Sequence, residues 1–336
     1  MDKDLTKVKG EFSLNVSGLT DYVKENEEIL LTKSLFGGKT IDLITSEGNL
    51  MLGVKSTEKI AILATDAIFQ DGTGCTRTAS GSTSLTQRQI TVGTVAVVED
   101  ICVADLEKKF MANKLARGAN NNKLPFEQEY SNLKADTVAK QLEIAVWKGD
   151  TNHGDVNLNK FDGFIKIIDA ASGVVQSNTS AYIASGAPIA VATGITLANV
   201  KAIVNSVWLA LPADIMGKDD VRIFCGWDTF NKFINAFTDQ NLFNFAPTGK
   251  EVKQENGEVY IPGTTYLLTA VHGLDGTNRL FGMRMSNMVF GTDLESDYEN
   301  FSMMEDQFKD YLRFKMRFRA GVQVGFPDEI VSFKLV

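Results

Sequence analysis

The chain has 336 residues, of which 44% are hydrophobic and 23% are charged, so it can bury a large core and has the composition of a globular protein rather than a disordered one. Its formal net charge of −8 argues against a dedicated nucleic-acid binder, because such proteins neutralise phosphates with Lys and Arg. The charged amino terminus and the lack of a long apolar run argue against a secretory signal and a membrane span.

The amino-terminal stretch is polar with scattered apolar anchors. Thr20 is placed to cap a short helix that carries Tyr22, Val23, Ile29 and Leu30 on one side. Two arrangements follow from this pattern. The commoner one is a surface helix packed on its own chain, and the other is an arm that lies on a neighbouring subunit.

A long β-hairpin is predicted next. Residues 59–70 form one strand pattern, and β-branched side chains spaced from Ile90 to Ile101 form a second. The stretch 71–84 between them is small, polar and rich in Gly, as expected of a broad loop tip. Because two-stranded ribbons are only marginally stable alone, we expect this hairpin to lie on something else.

The clearest helical pattern covers residues 124–148. Pro125 suits the first turn, apolar side chains follow at steps of three and four, and Gly149 is expected to close the helix as a C-terminal cap. A helix of this length would extend over roughly 37 Å, which is long for a globular protein.

Residues 155–290 alternate helical and strand patterns, which predicts an α+β layer. The expected elements are a strand at 161–168, a loop or insertion at 172–194, a helix at 198–208 with Thr196 as its cap, a strand at 221–225 and a helix at 227–237.

The last strand has the strongest local pattern. Alternate residues from Leu312 to Val324 are apolar, which predicts a strand with one apolar face. Basic residues stand between them at four positions: Arg313, Lys315, Arg317 and Arg319. An acidic segment at 293–306 could pair antiparallel with this strand and set opposite charges face to face. The basic face is either solvated with weak ion pairs, which we favour slightly, or in contact with a neighbouring subunit.

Two loop motifs resemble ligand sites but are incomplete. Gly37-Gly38-Lys39-Thr40 ends like a phosphate-binding loop, but Lys33 stands where the motif needs its first Gly. The segment 150–155 begins like a calcium loop, but positions five, six and twelve carry the wrong residues. A turn after the long helix is therefore the expectation for 150–155.

The residue types that usually carry chemistry are few and scattered. The cysteines, Cys75, Cys102 and Cys225, are odd in number and widely spaced, which excludes a disulfide framework and a cysteine metal knuckle. The two histidines, His153 and His272, have no partner at metal-ligand spacing, and no Gly-x-Ser-x-Gly nucleophile elbow occurs. We therefore predict no catalytic residue, no cofactor and no metal.

The order of these parts, from arm and long hairpin to long helix, α+β domain and terminal strand, resembles the capsid fold named after phage Hong Kong 97, which tailed-phage major capsid proteins share. The stretches 65–75, 78–81 and 86–88 look like the extended loop of major capsid proteins from phages of Bacteroidetes. The stretches 99–107 and 317–327 are similar to those that bound the peripheral domain.

The resemblance implies an α+β capsid fold, and its expected parts are an N-terminal arm at 1–45, an extended loop at 46–98, a peripheral domain at 99–155 and 289–321 with a spine helix at 124–148, and an axial domain at 156–288 and 322–336. It implies a major capsid protein that is not an enzyme. Such a protein would assemble into hexamers and pentamers and form an icosahedral head shell around phage double-stranded DNA, without binding that DNA specifically.

The resemblance also implies partners and contact residues. The candidates for contacts between subunits are Gln70, Arg77, Arg88, Arg313, Lys315, Arg317 and Arg319. A portal and scaffolding or decoration proteins would be further partners, and assembly would take place in the host bacterial cytoplasm without a membrane. Some members join subunits covalently through a Lys in the extended loop, but residues 71–88 contain no Lys, so that link is not expected. Two alternatives remain, an encapsulin-like nanocompartment of the same fold and an α+β enzyme whose site is assembled in space.

Overall fold

A computed structural model describes residues 27–69, 80–102, 126–238, 257–293, 301–306 and 311–336. The chain divides into two compact units. The smaller unit comprises Met1–Ser34, Ala96–Thr137 and Asp297–Arg317, and the larger unit comprises Leu35–Val95, Val138–Ser296 and Phe318–Val336.

The described helices are α1 (Glu27–Phe36), α2 (Lys39–Ser46), α3 (Phe126–Lys148), α4 (Phe164–Ala170), α5 (Val200–Leu209) and α6 (Trp227–Thr238). The described strands are β1 (Leu50–Met51), β2 (Thr57–Thr65), β3 (Thr83–Thr91), β4 (Gly93–Cys102), β5 (Val175–Gln176), β6 (Val221–Cys225), β7 (Glu258–Tyr260), β8 (Leu267–Ala270), β9 (Leu280–Arg284), β10 (Met288–Thr292), β11 (Phe301–Asp306), β12 (Tyr311–Val324) and β13 (Val331–Phe333).

A six-stranded mixed sheet forms the centre of the larger unit, with the strand order β5-β13-β9-β6-β8-β7. Its strands are short and almost continuously apolar, as expected where both faces of a sheet are covered. One face packs against α5 and α6, which contribute Val204, Val207, Phe230 and Phe233 to the core. This arrangement confirms the α+β layer.

The other face of this sheet is covered by aromatic side chains from the end of α3 and from α4. Trp147 lies with its ring centroid 5.3 Å from that of Phe164, 5.4 Å from Phe224 and 5.8 Å from Phe281. All four rings are fully buried. Contacts between aromatic rings at these distances add to the free energy of burial, so this cluster anchors the end of α3 on the sheet.

The predicted hairpin is confirmed. β2 and β3 form a two-stranded antiparallel sheet whose register runs from Thr57 opposite Thr91 to Thr65 opposite Thr83. The second strand was predicted at 90–101, but β2 pairs with β3 at 83–91, and most of the predicted stretch is β4, which pairs with β12. At Gly93 the backbone lies so close to the carbonyl of Lys160 that a Cβ would overlap the oxygen, so a side chain does not fit there.

The predicted terminal strand is also confirmed. β12 pairs antiparallel with β11 from Tyr311 to Met316 and with β10 from Ala320 to Val324. Its side chains alternate between exposed and buried along its first half. The period-two pattern therefore identified both the strand and its buried face.

The strand predicted at 161–168 is wrong, because α4 occupies Phe164–Ala170. Phe161, Phe164 and Ile168 are buried at steps of three and four, which is the spacing of one helical face. The spacing of apolar residues in so short a run does not distinguish a strand from a helix. In this segment the residues that are buried follow the helical spacing.

The predicted helix caps differ in detail. α5 begins at Val200 with Asn199, not Thr196, at the N-cap position and without a side-chain cap hydrogen bond. Asn199 Oδ1 instead accepts from the Thr196 main-chain N–H at 2.8 Å. α3 does end at Lys148, but Gly149 is not in the left-handed conformation of a glycine cap. A Cβ there would lie 2.5 Å from the carbonyl oxygens of Ala145 and Phe161, so Gly149 is required for close packing.

Part of the predicted amino-terminal helix lies outside the described residues. Its described part, α1, lies beside α3 of its own chain, where Lys33 Nζ is 3.0 Å from Asp136 Oδ1 and donates to Asn132 Oδ1 at 3.2 Å. Leu30 is buried and Ile29 is exposed, so these two residues do not share one side as predicted.

Candidate functional site

The first half of β12 presents a row of basic side chains to solvent. Arg313, Lys315 and Arg317 are exposed, whereas the residues between them are buried. Arg313 forms a two-pronged ion pair with Asp100, with Nε 2.6 Å from Oδ1 and Nη2 2.8 Å from Oδ2. Both side chains of this pair are about half exposed, so we assign it a small contribution to the stability of the fold.

Arg319 has a different role from its neighbours in the row. Its Nη1 donates to Asp293 Oδ2 at 2.5 Å, and the Asp293 side chain is only 3% exposed. Thr292 Oγ1 donates to the Arg319 carbonyl at 2.8 Å on the same segment. Arg319 thus neutralises a buried carboxylate of its own chain.

Lys315 and Arg317 form no ion pair with any residue that the structure describes. The predicted pairing of acidic and basic residues across the sheet is found among the described residues between Asp293 and Arg319, but not for Lys315. Lys315 stands opposite Ser302, and the acidic residues Glu305 and Asp306 stand opposite Leu312 and Tyr311. The positive charges of Lys315 and Arg317 are therefore not compensated by any acidic residue in the described part of the chain.

The hairpin is exposed along most of its length. In β3 only Ile90 is buried, and Arg88, opposite Ile60, is half-buried. Burial lowers the pKa of the Arg88 guanidinium from its ordinary value. The other contact candidates predicted here, Gln70 and Arg77, lie outside the described residues.

An apolar pair lies on the exposed part of the hairpin. Leu63 and Leu85 are direct cross-strand neighbours and are 62% and 65% exposed. Phe69, where the chain enters the tip, is 98% exposed. Side chains that are opposite each other on one face of a sheet form a continuous contact surface, so this pair presents apolar area with no cover from the described chain.

The Gly-Gly-Lys-Thr motif does not form a phosphate site. Thr40 is in the first turn of α2, and the carboxylate of Glu143 occupies that turn, with its Oε2 accepting from the Thr40 main-chain N–H at 3.0 Å. Thr40 Oγ1 also donates to Glu143 Oε1 at 2.5 Å and accepts from Trp147 Nε1 at 2.7 Å. Burial raises the pKa of Glu143, and these hydrogen bonds oppose that shift.

Glu143 is not among the residues that the sequence predicts as functional. One signal was present, because Glu143 is an acidic residue next to Leu142 and one turn before Val146, both of which are buried. A charged residue on the buried side of a helix requires a partner, and the partner here is 103 residues earlier in the chain.

The calcium-like segment 150–155 is a turn, and its first carboxylate, that of Asp150, shares a lysine with Asp162. Lys166 Nζ donates to Asp150 Oδ1 at 2.7 Å and to Asp162 Oδ1 at 2.8 Å. The hydrogen bond from Lys166 lowers the pKa of Asp150. Within the described residues, no group of three or more His, Cys, Asp and Glu side chains is arranged to hold a metal ion.

Cys225 and His272 both lie in surroundings that are explained by packing and local contacts. Cys225 is fully buried and burial raises the pKa of its thiol, which disfavours the reactive thiolate. His272 Nδ1 is 2.9 Å from Asp275 Oδ2, and its ring stacks on Trp227 at 5.6 Å. Cys75 lies outside the described residues.

A surface groove of about 450 Å³ lies in the larger unit, and its lining residues are Trp208, Leu209, Met216, Gly263, Thr264, Thr265 and Tyr266. No carboxylate, histidine or cysteine is among them, so the groove brings together no acid–base pair.

Within the described part of the chain, no helix is both long enough and apolar enough to span a membrane.

No protein-family model and no curated protein matches the sequence. Solved structures do match over nearly the whole chain. A chain of the satellite phage P4 procapsid, in a structure that includes the size determination (Sid) protein, aligns with a TM-score of 0.55 and 11% identity, covering 98% of this chain and 95% of that one. This protein has a phage-capsid fold.

Two further capsid structures support the same fold. A chain of the cyanophage A-1(L) capsid aligns with a TM-score of 0.53 and 12% identity, over 89% of this chain and 93% of that one. A chain of the capsid of an empty GTA particle aligns with a TM-score of 0.51 and 14% identity, over 88% and 90%. The predicted α+β capsid fold of the Hong Kong 97 type is thereby confirmed. The similarity to phages of Bacteroidetes stays a prediction.

Proposed function

We propose that this protein is the major capsid protein of a tailed bacteriophage, a structural protein and not an enzyme. Many copies would assemble as hexamers and pentamers into an icosahedral head shell that encloses double-stranded DNA. The observation that carries the proposal is the alignment of 98% of the chain with a procapsid chain, because it includes the whole order of elements and not one common domain.

The proposal assigns the parts of the chain to the parts of a capsid subunit. These are an N-terminal arm at 1–45, an extended loop at 46–98, a peripheral domain at 99–155 and 289–321 and an axial domain at 156–288 and 322–336. A portal and scaffolding or decoration proteins would be further partners, and assembly would take place in the cytoplasm of the host bacterium.

The hairpin supports assembly because its exposed apolar area has no use in an isolated subunit. Burying the exposed area of Leu63 and Leu85 against a neighbouring copy would contribute about 1–2 kcal/mol for each side chain, because both are already partly covered. In a closed symmetric shell each copy gives and receives such a contact, so modest contacts multiply into a stable assembly.

The basic row supports the same conclusion. Lys315 and Arg317 are positive groups on a chain in which 42 acidic residues outnumber 34 basic ones, so acidic partners for them are available on a second copy. Complementary charges of this kind orient the partners and select the correct contact more than they add affinity.

Electron microscopy of the purified full chain in negative stain, with size-exclusion chromatography, tests the proposal. We expect closed shells or rings of five and six subunits. A monomer or dimer at high concentration, both with and without a co-expressed scaffold, would refute assembly and favour the enzyme alternative. Shells that load a protein cargo and no DNA during phage growth would favour the nanocompartment alternative instead.

A further inference from the structure

Glu143 differs from the other buried charged residues in the described part of the chain. Arg279 and Asp293, which are also buried, each form an ion pair. Glu143 is 4% exposed, and no Lys, Arg or His of the described chain forms an ion pair with it. Among the described residues, its hydrogen-bond partners are the main-chain N–H and the hydroxyl of Thr40 alone.

The contact joins two elements that are distant in sequence. Glu143 lies in the last turns of α3, and Thr40 is in the first turn of α2, which leads through β1 into the hairpin. Gly38 allows the approach, because a Cβ at that position would be 2.6 Å from Glu143 Oε2. All of these residues belong to the larger unit.

Both protonation states of Glu143 can keep this contact. When the carboxylate is ionised, Thr40 Oγ1 donates to Oε1. When the acid is neutral, Oε1–H can donate to Thr40 Oγ1 along the same line, while Oε2 still accepts from the Thr40 main-chain N–H. Only the ionised form, however, carries the free-energy cost of a buried charge without a paired cation.

The charged groups around Glu143 reduce this cost but do not remove it. Lys39 on α2 and His272 on the turn after β8 both favour the ionised form. Lys39 Nζ is 3.6 Å from Glu258 Oε1, an oxygen that also accepts from Arg222 Nη1 at 2.8 Å, and His272 Nδ1 is 2.9 Å from Asp275 Oδ2. Lys39 and His272 therefore both interact with carboxylates other than that of Glu143. Burial is the largest influence, and the pKa of Glu143 is raised as a result.

We propose that Glu143 is a proton-responsive latch, in which uptake of a proton tightens the hold of α3 on the first turn of α2 and loss of the proton loosens it. The sign follows from linkage. A carboxyl group whose pKa is higher in the closed state binds more protons there than when it is exposed. The closed state is therefore favoured at low pH, and this advantage is lost as the pH rises through the raised pKa of Glu143.

Hydrogen exchange measured by mass spectrometry on the full chain tests the latch. The reporter is the segment 38–47, and the internal reference is α5 at 200–209, which has no acidic residue. After correction for the intrinsic rate, we expect protection of the reporter to fall on the order of tenfold as the pH rises through the transition, while the reference does not change.

Glu143→Gln is the decisive variant, because the amide is a neutral mimic of the protonated acid. We expect its reporter segment to stay protected at all pH values. Glu47→Gln is the matched control, since Glu47 is exposed beside the end of α2, and this variant should behave like the wild type. A pH response that persists in Glu143→Gln, or no response in the wild type, would overturn the proposal. If the variant does not fold, an unchanged protection of 38–47 relative to 200–209 in the wild type still overturns the proposal.

Discussion

At the scale of single residues, glycines allow helices to approach each other closely. Gly38 has an ordinary backbone conformation, with φ −84° and ψ 137°, so the reason for a glycine there is space and not strain. The atom nearest to a Cβ at this position would be a carboxylate oxygen of Glu143, whose own position is restricted by Thr40.

Gly38→Ala should therefore destabilise the protein by about 1–3 kcal/mol, because the added methyl group would push Glu143 away from the first turn of α2. Denaturant-induced unfolding measures the change. Gly154→Ala is the control, since a Cβ there has no atom within 4 Å and should change stability by less than about 0.5 kcal/mol. Equal stability of the Gly38 variant and the wild type would contradict the packing argument.

The two arginine ion pairs of β12 should also differ in their contribution to stability. Arg319→Ala removes the ion pair with the buried Asp293 carboxylate and should cost about 3 kcal/mol. Arg313→Ala breaks a half-exposed pair and should cost less than about 1 kcal/mol. Urea unfolding of both variants makes the comparison, and similar losses for the two would show that burial does not decide their contribution.

At the scale of secondary-structure elements, the hairpin and the terminal strand carry the surfaces that we assign to assembly. The existence of a hairpin was predictable from strand patterns around a glycine-rich tip, but its second strand was predicted at 90–101 and lies at 83–91. Which of its side chains stay uncovered was not predictable, because this depends on what else the chain brings near it. Ile90 is buried against Gly291 of β10, for example, whereas Leu63 remains exposed.

Replacing both Leu63 and Leu85 by Ser should reduce assembly without loss of subunit stability, since both side chains are exposed in the subunit. Sedimentation velocity would show a shift from shells to free subunits or capsomers. Val156→Ser is the control, because Val156 is equally exposed at 66% but lies in the turn after α3. Normal shells from the double variant would remove the hairpin from the interface.

Reversal of the uncompensated charges on β12, with Lys315→Glu and Arg317→Glu together, should weaken assembly, most strongly at low salt, because charge interactions are screened as ionic strength rises. Light scattering during assembly measures the effect. Lys334→Glu changes the charge of an exposed residue beyond β13 and is the control. An unchanged assembly rate would favour the view of this face as merely solvated.

At the scale of the whole molecule, the chain is acidic, and this affects how strongly an assembled shell would bind DNA. With a net charge of −8, a subunit offers no excess of cations to release counterions from DNA, which is the main source of affinity for duplex DNA. Assembled empty shells should therefore show no tight binding of duplex DNA at physiological salt in a filter-binding or electrophoretic assay. Submicromolar affinity under those conditions would contradict this expectation.

The sequence determined by itself those features that depend on the geometry of one element. A period of two identified β12 and its buried face, and a period near 3.6 identified α3, because the rise and twist of a single strand or helix are written into consecutive residues. The order of these elements, together with the stretches that resemble tailed-phage capsid proteins, predicted the capsid fold.

Only the tertiary structure decided which side chains pair with each other. Glu143 and Thr40 are 103 residues apart, and Arg313 and Asp100 are 213 apart, so no local pattern connects them. The basic residues of β12 looked alike in the sequence, but one neutralises a buried carboxylate, one pairs at the surface and two face solvent. The physical reason is that charge interactions depend on distance and burial, and both quantities are set by the folded chain as a whole.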